Sequence, residues 1–491
     1  MLLRGRGMMR GKHLYLILFL VTSLALAGVT GARQRAGSSI QTRRPNIVIL
    51  LGDDLGYCDV GLYGCKDIPT PNIDSIGKRG IAFTNGYVTA PVCSPSRAAL
   101  VTGRYQHRFG FEFNAGPLQR AISNQEMGLP VSEITLAEVL KRAGYATGMV
   151  GKWHLGMHEK FRPTRRGFDE YFGFLFGANT YIDPQATDVK NARPGGGEAN
   201  PAWPRNPRNP VYRNQAPVEE TSYLTDAFAR EAVAFIERHK QEPFFLYAPF
   251  NAPHTPLQAT RKYTDRFAHI KDERRQVYAA MVSALDDAVG EILKKLRETG
   301  LEQNTLVVFA SDNGCATYTE ACTNDPLRFG KLTHLEGGFR VPFAVQYPAR
   351  LKAGMVYDHP VSSLDLFPTA VAAAGGKMPS DRVYDGVDLM PFLTGQKKNA
   401  PHEVLFWRNG DNGAVRKGNW KLFKGGQRYW LYDLSKDIGE QKNMADRYPE
   451  IVEQLKREFV KWEGQLKQPM WPCREAAGSW EFEGVRLRIC I

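Results

Sequence analysis

Four short apolar runs, spaced widely along the chain and separated by stretches of helical spacing, most constrain its fold. Asn46-Ile47-Val48-Ile49-Leu50-Leu51 is one. A continuous run of this kind, rich in β-branched residues, reads as a strand buried on both faces. Phe244-Phe245-Leu246-Tyr247 and Thr305-Leu306-Val307-Val308-Phe309-Ala310 repeat the pattern, and Ala146-Thr147-Gly148-Met149-Val150 is a weaker fourth. Between them, Leu224, Phe228, Ala232, Phe235 and Ile236 recur at helical intervals, as do Val277, Met281, Leu285, Ala288, Ile292 and Leu296. Alternating strands and helices predict an α/β fold, a large mostly parallel central sheet flanked by helices. Asp183 to Pro217 is rich in Pro, Asn, Gly and Arg without periodicity, which predicts a long loop. After about Gly395 the pattern changes. Val404–Trp407, Trp420–Phe423 and Tyr429–Tyr432 read as strands of a smaller antiparallel sheet, and Ile451, Leu455, Phe459 and Trp462 as one helix. The 491 residues suffice for a large core and a smaller partner, divided as 1–27, 28–395 and 396–491.

Polar residues follow each strand. In open α/β sheets, ligands bind beyond the carboxyl ends of the strands. The first strand runs into Gly52-Asp53-Asp54 and the one at 305–310 into Ser311-Asp312-Asn313-Gly314. Carboxylates gathered there repel one another unless a cation joins them, and an oxygen-only set suits Ca²⁺ or Mg²⁺. Asp-Asp and Asp-Asn-Gly are also ordinary turn residues, so either alone favours a turn, while both at strand ends, beside Cys93-Ser94-Pro95-Ser96-Arg97, favour a metal. Lys152 and His154, in Gly151-Lys152-Trp153-His154, alternate, and in an extended segment they face one side. His254 follows the strand at 244–247, and Lys331 lies in Gly330-Lys331-Leu332-Thr333-His334. Taken singly, such Lys and His residues read as surface or satisfied polar groups.

Cys93-Ser94-Pro95-Ser96-Arg97 opens an apolar helical run. Proline is comfortable in a first helical turn, and free N–H groups there favour an anion. This C-x-P-S-R pattern resembles the signature of the formylglycine-dependent sulfatases of the alkaline-phosphatase superfamily. Asp433 to Ala445 and the following helix resemble that family's C-terminal subdomain, so the likeness covers nearly the whole mature chain, with the catalytic domain at 28–395. The resemblance implies hydrolysis of sulfate monoesters. Cys93 is then oxidised to 3-oxoalanine (formylglycine), whose hydrate attacks sulfur and gives a sulfo-enzyme intermediate. One Ca²⁺ is implied, held by Asp53, Asp54, Asp312, Asn313 and the modified Cys93. Lys152, His154, His254 and Lys331 carry over as sulfate and intermediate contacts, and Arg97 as the partner of the modified Cys93. In these roles Asp312 is the base, and Lys152, Lys331 and Arg97 neutralise the transferring group. His254 protonates the departing alcohol, and His154 takes the proton of the second hydroxyl. His107, His158 and His334 match no role and read as structural.

Thr102–Gln106 and Ala252–Gln258 resemble the arylsulfatase and N-acetylgalactosamine-sulfatase branch, which points to a sulfated oligosaccharide or polysaccharide. A phosphodiesterase or phosphonate monoester hydrolase of the same superfamily is the nearest alternative. A non-catalytic binder of sulfated glycans ranks lower, because no site residue is missing. A formylglycine-generating maturation enzyme is an implied partner.

Arg4, Arg6, Arg10 and Lys12 precede an apolar run from Leu14 to Ala27, ending in Ala25-Leu26-Ala27. This is the pattern of a cleaved signal peptide; the run is short for a membrane span, and an uncleaved anchor is the lesser alternative. Its removal takes four basic residues from a net charge of +13 and leaves +9. A positive surface favours polyanions, with no nucleic-acid motif. Of seven cysteines, six fall as near neighbours: Cys58 with Cys65, Cys315 with Cys322, Cys473 with Cys490. In an exported protein these predict three local disulfides, one of 15 connectivities, with Cys93 left over. The sequence holds no Asn-x-Ser/Thr acceptor, which favours a secreted or periplasmic bacterial protein.

Overall fold

In the computed structural model, which describes residues 44–193, 207–473 and 479–490, the first apolar run becomes the strand β1 (Asn46–Gly52), buried at every position. The main sheet adds β2 (Ile81–Phe83), β3 (Ala146–Lys152), β4 (Glu170–Phe174), β5 (Val211–Arg213), β6 (Ala216–Val218), β7 (Phe244–Pro249), β8 (Thr305–Ser311), β9 (Phe343–Gln346) and β10 (Met355–Tyr357). Their order is β10-β2-β9-β8-β1-β7-β3-β4-β5-β6. The five central strands β8, β1, β7, β3 and β4 are parallel. Antiparallel pairs flank them, β8 with β9 on one side and β4 with β5 on the other. The sheet is therefore mixed, parallel where both faces are covered.

Alternation along β1 divides the core. Val48 and Leu50 join one apolar cluster, and Ile47, Ile49 and Leu51 join the other, on the opposite face. The helices α1 (Pro71–Lys78), α2 (Cys93–Thr102), α3 (Leu224–His239) and α4 (Glu273–Glu298) include both helices expected from periodicity. Phe228, Phe235, Val277, Leu285 and Ile292 all sit in the first cluster. All ten residues of α2 are buried. It ends at Gly103, φ +67°, whose N–H bonds Ala99 O; a Cβ there would meet Phe367 Cβ at 2.7 Å.

Three expectations change. The stretch from Asp183 to Pro217 is not one structureless loop. Val189–Ala192 pairs with Leu257–Thr260, and β5 and β6 extend the sheet as a hairpin. Asn214 takes φ +55° at the two-residue turn, and Pro217 is tolerated because β6 is an edge strand. Residues 194–206 of that stretch, like the expected signal peptide, lie outside the described residues. The C-terminal sheet has four strands rather than three: β11 (Val404–Asn409), β12 (Asn412–Lys417), β13 (Trp420–Gly425) and β14 (Arg428–Asp433). Lastly, Cys315–Cys322 and Cys473–Cys490 are bonded, but Cys58 and Cys65 are free thiols. The Cys65 thiol donates instead to Asp67 Oδ1, 3.3 Å away.

The short helix α5 (Glu336–Phe339) joins the main sheet to the C-terminal one. Phe339 stacks on Trp407 of β11 with ring centroids 4.2 Å apart, and Trp407 Nε1 donates to Val88 O at 2.6 Å. Lys421 of β13 is fully buried between Glu336 Oε1 at 3.0 Å and Glu440 Oε1 at 2.7 Å. The helix α6 (Pro449–Glu463) covers the outer sheet with Val452, Leu455, Phe459 and Trp462. No helix among the described residues is long and apolar enough to cross a membrane.

Candidate active site

Because β1, β3, β7 and β8 run parallel, their carboxyl ends open on one edge of the sheet. The segments that follow deliver Asp53 and Asp54, Lys152 and His154, His254, and Asp312 and Asn313 to that edge. The helix α2 brings Cys93 in its first turn and Arg97 in its second, and the segment before α5 brings Lys331. All ten residues singled out from the sequence meet there.

Cys93 Sγ is the centre. The thiol donates to Asp53 Oδ1 at 3.5 Å and lies 4.0 Å from Asp54 Oδ1, while Lys331 Nζ donates to Sγ at 3.3 Å. Lys331 Nζ also pairs with Asp54 Oδ2 at 2.8 Å, and Lys152 Nζ with Asp53 Oδ2 at 2.5 Å. Asn313 Nδ2 donates to Asp54 Oδ1 at 2.7 Å. His254 Nδ1 lies 2.6 Å from Thr255 O, which leaves Nε2 facing Asp54 Oδ2 at 3.6 Å. Arg97 is fully buried beside the carboxylates. Its guanidinium bonds Asp312 Oδ2 at 2.8 Å and Lys152 O at 3.0 Å, and pairs with Asp53 Oδ2 at 3.5 Å.

Burial and charge set the protonation of these groups. Burial raises Asp312, Asp53 raises it further, and Arg97 opposes them; the result is about 6. Asp54 falls to about 2 because Lys331 and His254 outweigh its burial. Asp53 is raised by burial in spite of Lys152. Cys93 comes down to about 7, since Lys152 and Lys331 overcome the burial of the thiol. Burial drives His154 well below the ordinary histidine value, with Lys152 and Arg97 adding to it. In His254, burial and Lys331 favour the neutral ring, but Asp53 and Asp54 prevail and raise it. One histidine thus holds its proton more firmly than free imidazole and the other less.

The oxygen donors of the site, from Asp53, Asp54 and Asn313, suit a hard divalent cation. Ligand atoms of Asp53, Asp54, Cys93 and His254 lie within 4.8 Å of one another. Asn313 Oδ1 is buried with no hydrogen-bond partner, a carbonyl oxygen available to such an ion.

Asp54, His154 and Leu332 take φ of +60°, +58° and +77°, a conformation costly for side chains of this size. For His154 this breaks the simple alternation with Lys152 expected of an extended segment. Its ring is placed by other contacts, which the sequence did not announce. Ser94 Oγ donates to His154 O at 2.5 Å, and Asn114 Oδ1 accepts from Ser94 N at 3.0 Å. A Cβ on Gly177 would come within 2.7 Å of His154 Cε1 and Nε2. Tyr181 OH donates to Asn251 O and His254 O, 2.5 and 2.8 Å away, and so fixes the His254 segment. Of these, only Ser94 lay inside a motif. His107 Nε2 instead pairs with Arg408 O, and His334 stacks on Phe423.

Residues 45–376 match a family model described as Sulfatase, and 328–465 one described as N-sulphoglucosamine sulphohydrolase, C-terminal. The chain is 38% identical to N-acetylgalactosamine-6-sulfatase of Mus musculus, over 77% of this chain and 71% of the relative. It is 33% identical to arylsulfatase A of Homo sapiens, over 91% and 93% of the two chains. A solved structure described as Ps i-CgsB in complex with k-i-k-neocarrahexaose is 37% identical, with a TM-score of 0.79, over 87% of this chain and 95% of that one.

Proposed function

The chain belongs to the sulfatase family and is a sulfuric ester hydrolase, and we propose that its substrate is a sulfate monoester carried on an oligosaccharide or polysaccharide. One observation carries this reading. Two lysines and an arginine interleave with three carboxylates around a single cysteine at a helix N-terminus, so a monoanionic ester can be gripped without a second metal ion. Relatives whose names include N-acetylgalactosamine-6-sulfatase and a neocarrahexaose complex support the carbohydrate.

Cys93 oxidised to formylglycine supplies a hydroxyl nucleophile as its hydrate, and a Ca²⁺ held by Asp53, Asp54, Asp312, Asn313 and residue 93 supplies Lewis-acid polarisation. The remaining chemistry belongs to the side chains. Lys152 and Lys331 set two positive charges on either side of residue 93 and neutralise the sulfate oxygens. Arg97 fixes Asp312, which accepts the proton of the attacking hydroxyl. His254 holds its proton on Nε2 and gives it to the departing sugar oxygen. His154, kept neutral, accepts a proton in the later half of the reaction. A formylglycine-generating enzyme is the implied maturation partner. We assign 28–395 to the catalytic domain and 396–491 to the C-terminal subdomain, and place the mature protein outside the cytoplasm after loss of 1–27.

Sulfate release from a panel of sulfated oligosaccharides, run beside phosphodiesters and phosphonate monoesters, tests the assignment. Faster turnover of a phosphodiester than of any sulfate ester would overturn it.

A further inference from the structure

The loop closed by the Cys315–Cys322 bond stands beside this site, and none of its residues has a role so far. Lys331 N and Thr317 N both donate to Cys315 O, at 2.9 and 3.0 Å. One peptide oxygen thus ties the Lys331 segment to the short turn Thr317–Thr319. The two segments touch closely: a Cβ on Gly330 would lie 2.2 Å from Cys315 O and 3.1 Å from Thr317 Cγ2. The turn is held from below. Thr319 is buried and its Oγ1 donates to Ala316 O at 2.7 Å, and Arg275 Nη1 donates to Ala321 O at 3.1 Å.

The middle residue of this braced turn is Tyr318. With 56% of its surface exposed, it is the most exposed aromatic side chain among the described residues. The charged groups of the site act on its phenol. Burial pushes it above the ordinary tyrosine value against Lys331, and Asp54, Cys93 and Asp53 act on it as well. Tyr318 therefore stands exposed on a turn packed against the segment that carries Lys331 into the site. An apolar face held rigid at the rim of a polar pocket matches a pyranose ring. Such a ring presents C–H groups on its faces and polar groups around its edge.

We propose that Tyr318 determines specificity as the platform on which the sulfate-bearing sugar ring packs, an inference that rests on the carbohydrate-sulfatase reading above. Steady-state kinetics of Tyr318→Ala and Tyr318→Phe on the best sugar sulfate from the panel, with inorganic sulfate as a competitive inhibitor, test it. The Ala variant should raise KM about tenfold, with kcat within about threefold of wild type. The inhibition constant for sulfate should stay put, because the charged pocket is untouched. The Phe variant should keep KM within about twofold. An unchanged KM in the Ala variant, or a sulfate inhibition constant that rises in step with KM, overturns the platform. Wild-type protein that releases sulfate from aryl esters but from no sugar overturns the carbohydrate reading itself, and this one with it.

Discussion

At the scale of single residues, the two histidines part company. His254 is half-buried, with Nδ1 occupied by Thr255 O and a raised affinity for its Nε2 proton. A general acid is worth roughly 10²–10⁴-fold where the leaving group needs a proton. A sugar alkoxide needs it far more than a nitrophenolate. His254→Ala should therefore slow a sugar sulfate by two or more orders of magnitude and nitrophenyl sulfate much less. Equal losses on the two esters would make His254 a binding residue only. Cys93 is a different case. It is 1% exposed, yet Lys152 and Lys331 bring its thiol to about 7, which no packing role demands. Peptide mass spectrometry of active protein should find residue 93 as the aldehyde or its hydrate. Cys93→Ala should fold with a melting temperature near that of wild type and lose nearly all turnover. Full activity in protein whose Cys93 is entirely thiol sinks the assignment.

At the scale of elements, the join between α5 and β13 should titrate. Burial and the neighbouring Glu336 raise Glu440 to about 7 in spite of Lys421. Glu336 itself stays at about 2, since Lys421, Arg340 and Arg416 outweigh its burial. Between the ordinary value of 4.5 and about 7 the folded protein keeps a proton on Glu440 that the unfolded chain has released. The stability this brings is complete below 4.5 and is lost as pH rises through 7. Glu336 acts oppositely, and its contribution is lost only as pH falls from 4.5 toward 2. Glu440→Gln keeps an oxygen for the Glu336 N–H but does not titrate. The difference in melting temperature, variant minus wild type, should rise by a few degrees from pH 5 to pH 8. A difference that does not move with pH rules out the buried proton. The same region marks the limit of reading elements from sequence. β1, β7 and β8 were legible because strands covered on both faces are apolar throughout. β12 was not: it begins Asn-Gly, which reads as a turn, and ends Arg416-Lys417, which reads as surface. Arg416 is buried because Asn85 and Tyr87 from a distant segment receive it. The β5–β6 hairpin was hidden in the same way by its polar composition. In the site, the residues that follow strands or sit in motifs could be found. Gly177, Asn114, Tyr181 and Tyr318 could not, because only tertiary packing puts them next to His154, Ser94, His254 and Lys331.

For the whole molecule, a cation bound at the carboxylate cluster would couple metal binding to folding. Asp53, Asp54 and Asp312 come from both sides of the central strand pair, so a cation that joins them bridges segments about 260 residues apart. A ligand bound only by the folded state stabilises it by RT ln(1 + [L]/Kd), about 2.7 kcal/mol at a hundredfold excess over Kd. Exhaustive chelation should lower the melting temperature and abolish turnover, and millimolar Ca²⁺ should restore both. A melting temperature indifferent to chelator and Ca²⁺ would remove the ion from the site. The position of β1 has a further consequence, in time. Its partner β8 lies 259 residues further along the chain, as Asn46 and Thr305 attest. At roughly 5–20 residues per second, synthesis takes roughly 13–50 s to cover those 259 residues. For that interval Ile47-Val48-Ile49-Leu50-Leu51, buried throughout in the finished sheet, has no permanent neighbour on one side. Chaperone capacity, rather than the final stability of the fold, should then set how much of this protein a cell can make.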